Sequence, residues 1–300
     1  MSRGGAENAE ESTEIVHFFS PHLRASAWTV IIVLAAAGCA LASDYSVFHP
    51  HPDATRTADG AWAIHDLSRP WPPAAKPIPW PELAAEARPP QGANILLDGS
   101  SLDAWNIPQP WILKDGILQV RPVNSSLVTK ESFGSCHLHL EWKTPPGHPE
   151  KIGQNRGNSG VFLMSTYEIQ VLDTHENKTY ADGMAAALYG VKPPDANALR
   201  PAGEWQSYDI WFKRPIFDAT GEMTSPACVT VSLNGVLVQN NVSFDGPSSH
   251  KKRIPYQSHS DALPLLLQNH NDTVEFRNIW IQPLPDDQVL SPSGLVGINK

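Results

Sequence analysis

The chain has 300 residues, 41% hydrophobic and 18% charged, proportions that exclude a fibre, a coiled coil and a fully disordered polypeptide. Its formal net charge is -9 and its longest basic run is Lys251-Lys252-Arg253; no nucleic-acid partner is expected, because phosphate binding concentrates positive charge. Twenty glycines, 28 prolines and ten tryptophans suit short strands joined by many turns better than long helices.

Near the amino terminus, residues 28–38 read WTVIIVLAAAG and sit inside a weakly polar stretch over 25–42. This reads as a secretory signal with a small-residue cleavage site at Ala40-Leu41-Ala42, leaving a mature chain that starts at Ser43. The leader before it carries Glu7, Glu10, Glu11 and Glu14 instead of positive charge; a true start codon further downstream would remove that mismatch. Ala36-Ala37-Gly38-Cys39 is similar to a bacterial lipoprotein cleavage box, so a lipidated Cys39 is a second route and an uncleaved anchor a third. The expected location is extracytoplasmic, periplasmic or secreted, with a membrane touched only through the leader or Cys39.

Residues 43–93 hold ten prolines, which disfavour helix interiors and central strands alike. They read as an extended arm in which only Trp62-Ala-Ile-His-Asp66 looks strand-like, and Trp71 and Trp80 pin it to a domain surface. Helical turns are expected only at 81–87 and 181–188.

From Asn94 the pattern becomes regular. Asp115-Gly116 and Asn234-Gly235 mark hairpins, and more than ten short strands follow one another without crossover helices. The expectation is one all-β domain over 94–285, a sandwich of two antiparallel sheets, followed by a tail over 286–300. Cys136 and Cys228 fall on opposite strand phases, so no disulfide between them is expected and the core must hold the fold.

Period-two alternation assigns Leu138, Leu140, Ile169, Val171, Ile210, Phe212, Val231 and Leu265 to the core. The opposite phases carry Glu141, Glu168, Gln170, Asp209, Trp211, Gln268 and His270. If these strands share one sheet, the face offers carboxylates, amides, an imidazole and an indole to a sugar; a solvated sheet face needs polar side chains in any case. Asn158-Ser159-Gly160 before an uncharged strand, with Glu168 and Gln170 on the next one, adds weight to a site there.

Asn158-Ser-Gly160, Tyr167-Glu-Ile-Gln-Val-Leu-Asp173, Gly203-Glu-Trp-Gln-Ser-Tyr-Asp209 and Phe276-Arg-Asn-Ile-Trp-Ile281 together resemble the 3-keto-disaccharide hydrolase domain family. The resemblance opens at Leu97-Asp-Gly-Ser-Ser-Leu-Asp-Ala-Trp105, and Ile64-His-Asp-Leu-Ser-Arg-Pro-Trp-Pro-Pro73 is similar to the leader of an exported subgroup. It implies a concanavalin-like jelly roll and chemistry on sugars already oxidised at C3. The polar face implied for the family maps to Glu141, Glu168, Gln170, Asp173, His270 and Arg277. Where relatives commonly read Gln-Asp-His-Gly, this chain has Gln268-Asn269-His270-Asn271.

A ketone at C3 acidifies the C2 proton because the carbanion becomes an enolate, so a carboxylate or imidazole can remove it near neutrality. Expulsion of the C1 substituent and re-addition of water then give net hydrolysis. The implied assignment has Glu168 or His270 as base, Glu141 as acid to the leaving oxygen, and Arg277 or a divalent cation at the enolate oxygen. Asn158, Gln170, Asp173, Asp209, Trp211 and Gln268 are the substrate-binding candidates. Candidate metal ligands are His270, Glu168 and Asp173, although no HExxH or clustered-cysteine pattern supports zinc. No GxSxG and no glycine-rich nucleotide loop occur, so a separate sugar 3-dehydrogenase is expected to supply the substrate. The competing reading is a non-catalytic carbohydrate-binding or adhesion module on the same sandwich.

Overall fold

The computed structural model describes residues 55–57, 60–107, 111–121, 125–147 and 150–287. The expected signal, the alternative anchor, Cys39 and Ser43 lie outside the described residues, as does most of the expected tail. All described residues belong to the compact unit Phe48–Lys300. No helix among them is long and apolar enough to cross a membrane.

Fifteen strands lie among the described residues, most of them where the sequence pattern places them; the short pieces at 105–106, 216–217 and 223–225 are not read from it. They are β1 (Asn94–Leu97), β2 (Trp105–Asn106), β3 (Ile112–Lys114), β4 (Ile117–Gln119), β5 (Leu127–Phe133), β6 (Cys136–Lys143), β7 (Ser159–Leu163) and β8 (Tyr167–Val171). Then come β9 (Gln206–Lys213), β10 (Ile216–Phe217), β11 (Met223–Ser225), β12 (Cys228–Leu233), β13 (Val236–Ser243), β14 (Leu263–Leu267) and β15 (Glu275–Pro283). The larger sheet runs β13-β12-β9-β6-β15-β4-β3, with β1 also on β15, and the smaller runs β2-β5-β14-β7-β8. Both are antiparallel, and together they form a jelly-roll-like sandwich.

The core lies between the inner faces. Leu138, Leu140, Ile210, Phe212 and Val231 of the larger sheet meet Ile169, Val171 and Leu265 of the smaller, all of them buried. Each such side chain contributes about 1.5–3 kcal/mol of transfer free energy. Tyr208 crosses this interface: its hydroxyl donates to the Gln170 carbonyl at 2.7 Å and accepts the Ala186 amide at 2.8 Å. Cys136 is buried in the core, Cys228 lies at the other phase, and both are free thiols.

The arm is more firmly held than its prolines suggest. The helix α1 (Trp80–Glu86) has proline at its start, where a missing N–H is tolerated. Trp71 donates to the Thr179 carbonyl at 2.7 Å, and the Ala75 amide to Asn197 at 2.9 Å. The strand-like run at Trp62-Asp66 proves to be a single bridge between Arg56 and Ala63, ended by His65 in the left-handed region at φ 63°. The expected helix at 181–188 is only a short 3₁₀ turn, Ala181–Gly183. The residues after it lie along the open edge of β8, with Leu188 bridged to Ile169.

Candidate active site

The β7–β8 hairpin builds one wall. Met164 and Ser165 both take positive φ, 52° each, and the tight turn fixes a register in which Phe162 faces Glu168 and Gly160 faces Gln170. On the other side of β8, the Tyr189 amide donates to the Glu168 carbonyl at 3.3 Å and Gln170 exchanges backbone bonds with Ala186 and Ala187. Glu168 and Gln170 therefore sit on the outer face of the smaller sheet, flanked on both edges.

A cavity of about 450 Å³ opens there. It brings together Asn158, Glu168, Gln170, Gln268 and His270 from the sequence candidates. Gln154, Phe162, Tyr180, Tyr189, Ser248 and His250 join them; most of these come from loops, where no periodicity marks a facing direction.

Glu168 is 5% exposed, and burial pushes its carboxyl up to about 8. No charge or hydrogen bond lowers it again. A Cβ on Gly160 would lie 2.4 Å from Glu168 Oε1, so the carboxyl leans over the space that glycine leaves. Gln170 Nε2 donates to Gln154 Oε1 at 3.1 Å, and Asn158 Nδ2 donates to the Gln154 carbonyl at 2.8 Å. Asn158 Oδ1 is buried with no partner among the described residues. Asn158 also lines the cavity, and an acceptor without a partner is the kind of group that a ligand hydroxyl would satisfy. His270 lies exposed at the rim. Just beyond it, Asn271 takes φ 64°, a conformation open to the glycine of relatives and tolerated by asparagine.

The remaining candidates are elsewhere, which corrects the expectation of one shared polar face. Glu141, Asp209, Trp211 and Arg277 lie on β6, β9 and β15 of the larger sheet. Alternation gives the phase of a side chain within its strand but not the sheet to which the strand belongs. Arg277 Nε donates to Glu141 Oε2 at 2.5 Å and Asn278 Nδ2 to Oε1 at 2.9 Å. Burial alone would raise the Glu141 carboxyl, but His139, Asn278 and Arg277 hold it below its ordinary value. It is a paired carboxylate on the larger sheet, away from the cavity. Arg277 also lies 3.9 Å from the Trp205 ring centroid and 5.5 Å from that of Trp80, so this cluster fastens the arm to the sheet. Asp209 accepts from His139 at 2.9 Å, and Trp211 stacks on His137 at 4.3 Å. Burial disfavours the His139 imidazolium, yet Asp209 and Glu141 raise it to about 9. Asp173 is fully buried, takes Arg156 Nε at 2.6 Å and the His175 amide at 3.1 Å, and closes a loop.

Asp173 is held by Arg156 and does not line the cavity with Glu168 and His270, so the candidate ligand set of His270, Glu168 and Asp173 is not brought together there. No group of three His, Cys, Asp or Glu residues among those described is arranged to hold one.

The model of the 3-keto-alpha-glucoside-1,2-lyase-like domain matches residues 92–282. Among solved structures, a protein provisionally named a glycosyl hydrolase from Parabacteroides distasonis is 33% identical, with a TM-score of 0.63. The match covers 79% of this chain and 100% of that one. A second protein of the same provisional name and organism is 19% identical, with a TM-score of 0.47, over 70% of this chain and 100% of its own. No protein with a curated description matches the chain.

Proposed function

The chain belongs to the 3-keto-alpha-glucoside-1,2-lyase-like domain family, a carbohydrate-acting group of hydrolase and lyase type, and from that premise we propose that it cleaves 3-keto-glycosides by elimination across C1–C2. Glu168 takes the C2 proton, the C1 oxygen departs, and addition of water to the unsaturated ketone completes a net hydrolysis. The observation that carries this reading is the Glu168 carboxyl, buried without a partner at a cavity and pushed up to about 8. A base whose affinity for protons is raised in this way is matched to an acidified C–H at neutral to mildly alkaline pH.

His270, exposed at the cavity, donates to the ketone oxygen as charge develops there. Asn158 Oδ1 accepts a sugar hydroxyl, and Phe162 packs against the ring. Glu141 and Arg277, paired with each other on the larger sheet, have no part in the step. A binding module would instead offer a flat aromatic platform; a concave, open-mouthed cavity with a desolvated carboxyl supports catalysis. The substrate requires a separate enzyme that oxidises C3, and the leader supports an extracytoplasmic setting for the pair.

The test compares 3-keto-glucosides with their unoxidised counterparts, with and without chelator. Wild-type protein is expected to act only on the oxidised sugars. Glu168→Gln should lower turnover and C2 deuterium exchange together, on the order of 10²–10⁴-fold. Wild-type rates in that variant would remove Glu168 from this role.

A further inference from the structure

Removing the C2 proton leaves a second requirement unmet. An alkoxide departing from C1 needs a proton, and the acid expected for it, Glu141, lies on the other sheet. The cavity wall opposite β7 carries a different donor. The Tyr180 and Tyr189 hydroxyls are 3.0 Å apart, and the Tyr189 hydroxyl is 3.0 Å from His250 Nδ1. All three residues line the cavity, and His250 is exposed to solvent.

The far side of Tyr180 is built with equal specificity. His65 of the arm stacks on its ring at 4.0 Å. The His65 amide donates to Asp182 Oδ2 at 3.0 Å, and its Nδ1 lies 3.4 Å from Oδ1. Both His65 and Asp182 are buried. Gly183 makes room for the phenol, since a Cβ there would lie 1.9 Å from the Tyr180 ring. Burial keeps both phenols protonated well above the ordinary tyrosine range, and the charge of Glu168 acts on each of them in the same direction. Base and phenols thus share one space.

We infer that Tyr180 is the proton donor to the departing C1 oxygen, resupplied through Tyr189 and His250, and that His65 positions its ring. This rests on the elimination reading. In the step, the Glu168 carboxylate takes the proton from C2, the C1–O bond breaks with its electron pair on oxygen, and a C1=C2 double bond forms. The Tyr180 hydroxyl proton goes to that oxygen. Tyr180 recovers a proton from Tyr189, Tyr189 from His250, and His250 from solvent. Of the two phenols, Tyr189 already bonds on both sides, to Tyr180 and to His250, whereas Tyr180 bonds only to Tyr189 and keeps a free direction towards the cavity.

The experiment uses two 3-keto-glucosides, one with a methyl and one with a 4-nitrophenyl leaving group, and follows C2 deuterium exchange beside product release. Tyr180→Phe is expected to release methanol more slowly on the order of 10²-fold, while exchange and nitrophenolate release fall by less than about tenfold. Tyr189→Phe should show the same pattern more weakly. His65→Ala should resemble it, and His65→Phe, which keeps a stacking ring, should restore methanol release. Retained exchange reports a folded site. Methanol release at the wild-type rate in Tyr180→Phe would overturn the inference and leave Glu168 to return the proton itself. Equal loss of exchange and of both releases would reduce Tyr180 to a packing role. Wild-type protein inert towards both sugars would overturn the elimination reading and this inference with it.

Discussion

A carboxyl enclosed as Glu168 is loses its proton only at about pH 8, whereas in the unfolded chain it does so near 4.5. Between those values the unfolded state has released the proton and the folded state still holds it, so stability falls as pH rises through that window and levels off above it. Glu168→Gln has no such proton to lose. Thermal melts from pH 5 to 9 should therefore show the variant gaining on wild type up to about pH 8; a domain of this size shifts about 2–4 °C per kcal/mol. Parallel melting curves would contradict the assignment. Activity should run the other way, since only the carboxylate accepts a proton, and kcat/KM for a 3-keto-glucoside should climb with pH and flatten above about 8. Gly160→Ala places a Cβ against Glu168 Oε1, and the carboxyl must move. The expected result is a loss of at least about tenfold in turnover with little change in melting temperature. Glu168 and Gln170 were legible in the sequence because Tyr-Glu-Ile-Gln-Val alternates cleanly. Glu141 alternates just as cleanly and lies on the other sheet, a distinction that only long-range strand pairing draws, while Arg277 is reached only through the family resemblance.

β8 is the element on which the site turns. It is held by β7 on one edge, by the segment around Leu188 on the other, and by the Tyr208 hydroxyl from across the core. Tyr208→Phe removes one of the two acceptors of the buried Ala186 amide, which keeps its bond to the Gln170 carbonyl, and leaves that carbonyl one donor short, at a cost of about 0.5–1.5 kcal/mol. Faster hydrogen exchange at Ala186, read by mass spectrometry, together with weakened substrate binding would bear out this bracing; unchanged exchange would refute it. The strands themselves were readable from period-two patterns and turn dipeptides. Residues 181–188 were not, because their alanine-rich composition suits a helix while their backbone bonds go to β8, and Ala186 takes φ 63°. Tertiary pairing overrode local preference there.

At the scale of the whole molecule, the two-sheet sandwich follows from many short strands without crossover helices. The place of the arm did not, since proline-rich segments carry no periodicity to say what they touch. If the leader is processed as its sequence suggests, mass spectrometry of protein from its native host should find an amino terminus at Ser43 or a lipidated Cys39; an intact Met1 in cytosolic protein would contradict export. All but the last two residues of the arm lie outside the family-matched residues 92–282, yet it sends His65 beneath Tyr180 and receives Asn278 and Trp280 side chains on the Ala87 carbonyl. Its evolutionary freedom is therefore narrower than that of an ordinary leader. Drift at His65 would be felt at Tyr180, and exchanging this arm between relatives would exchange the support behind that wall of the cavity with it.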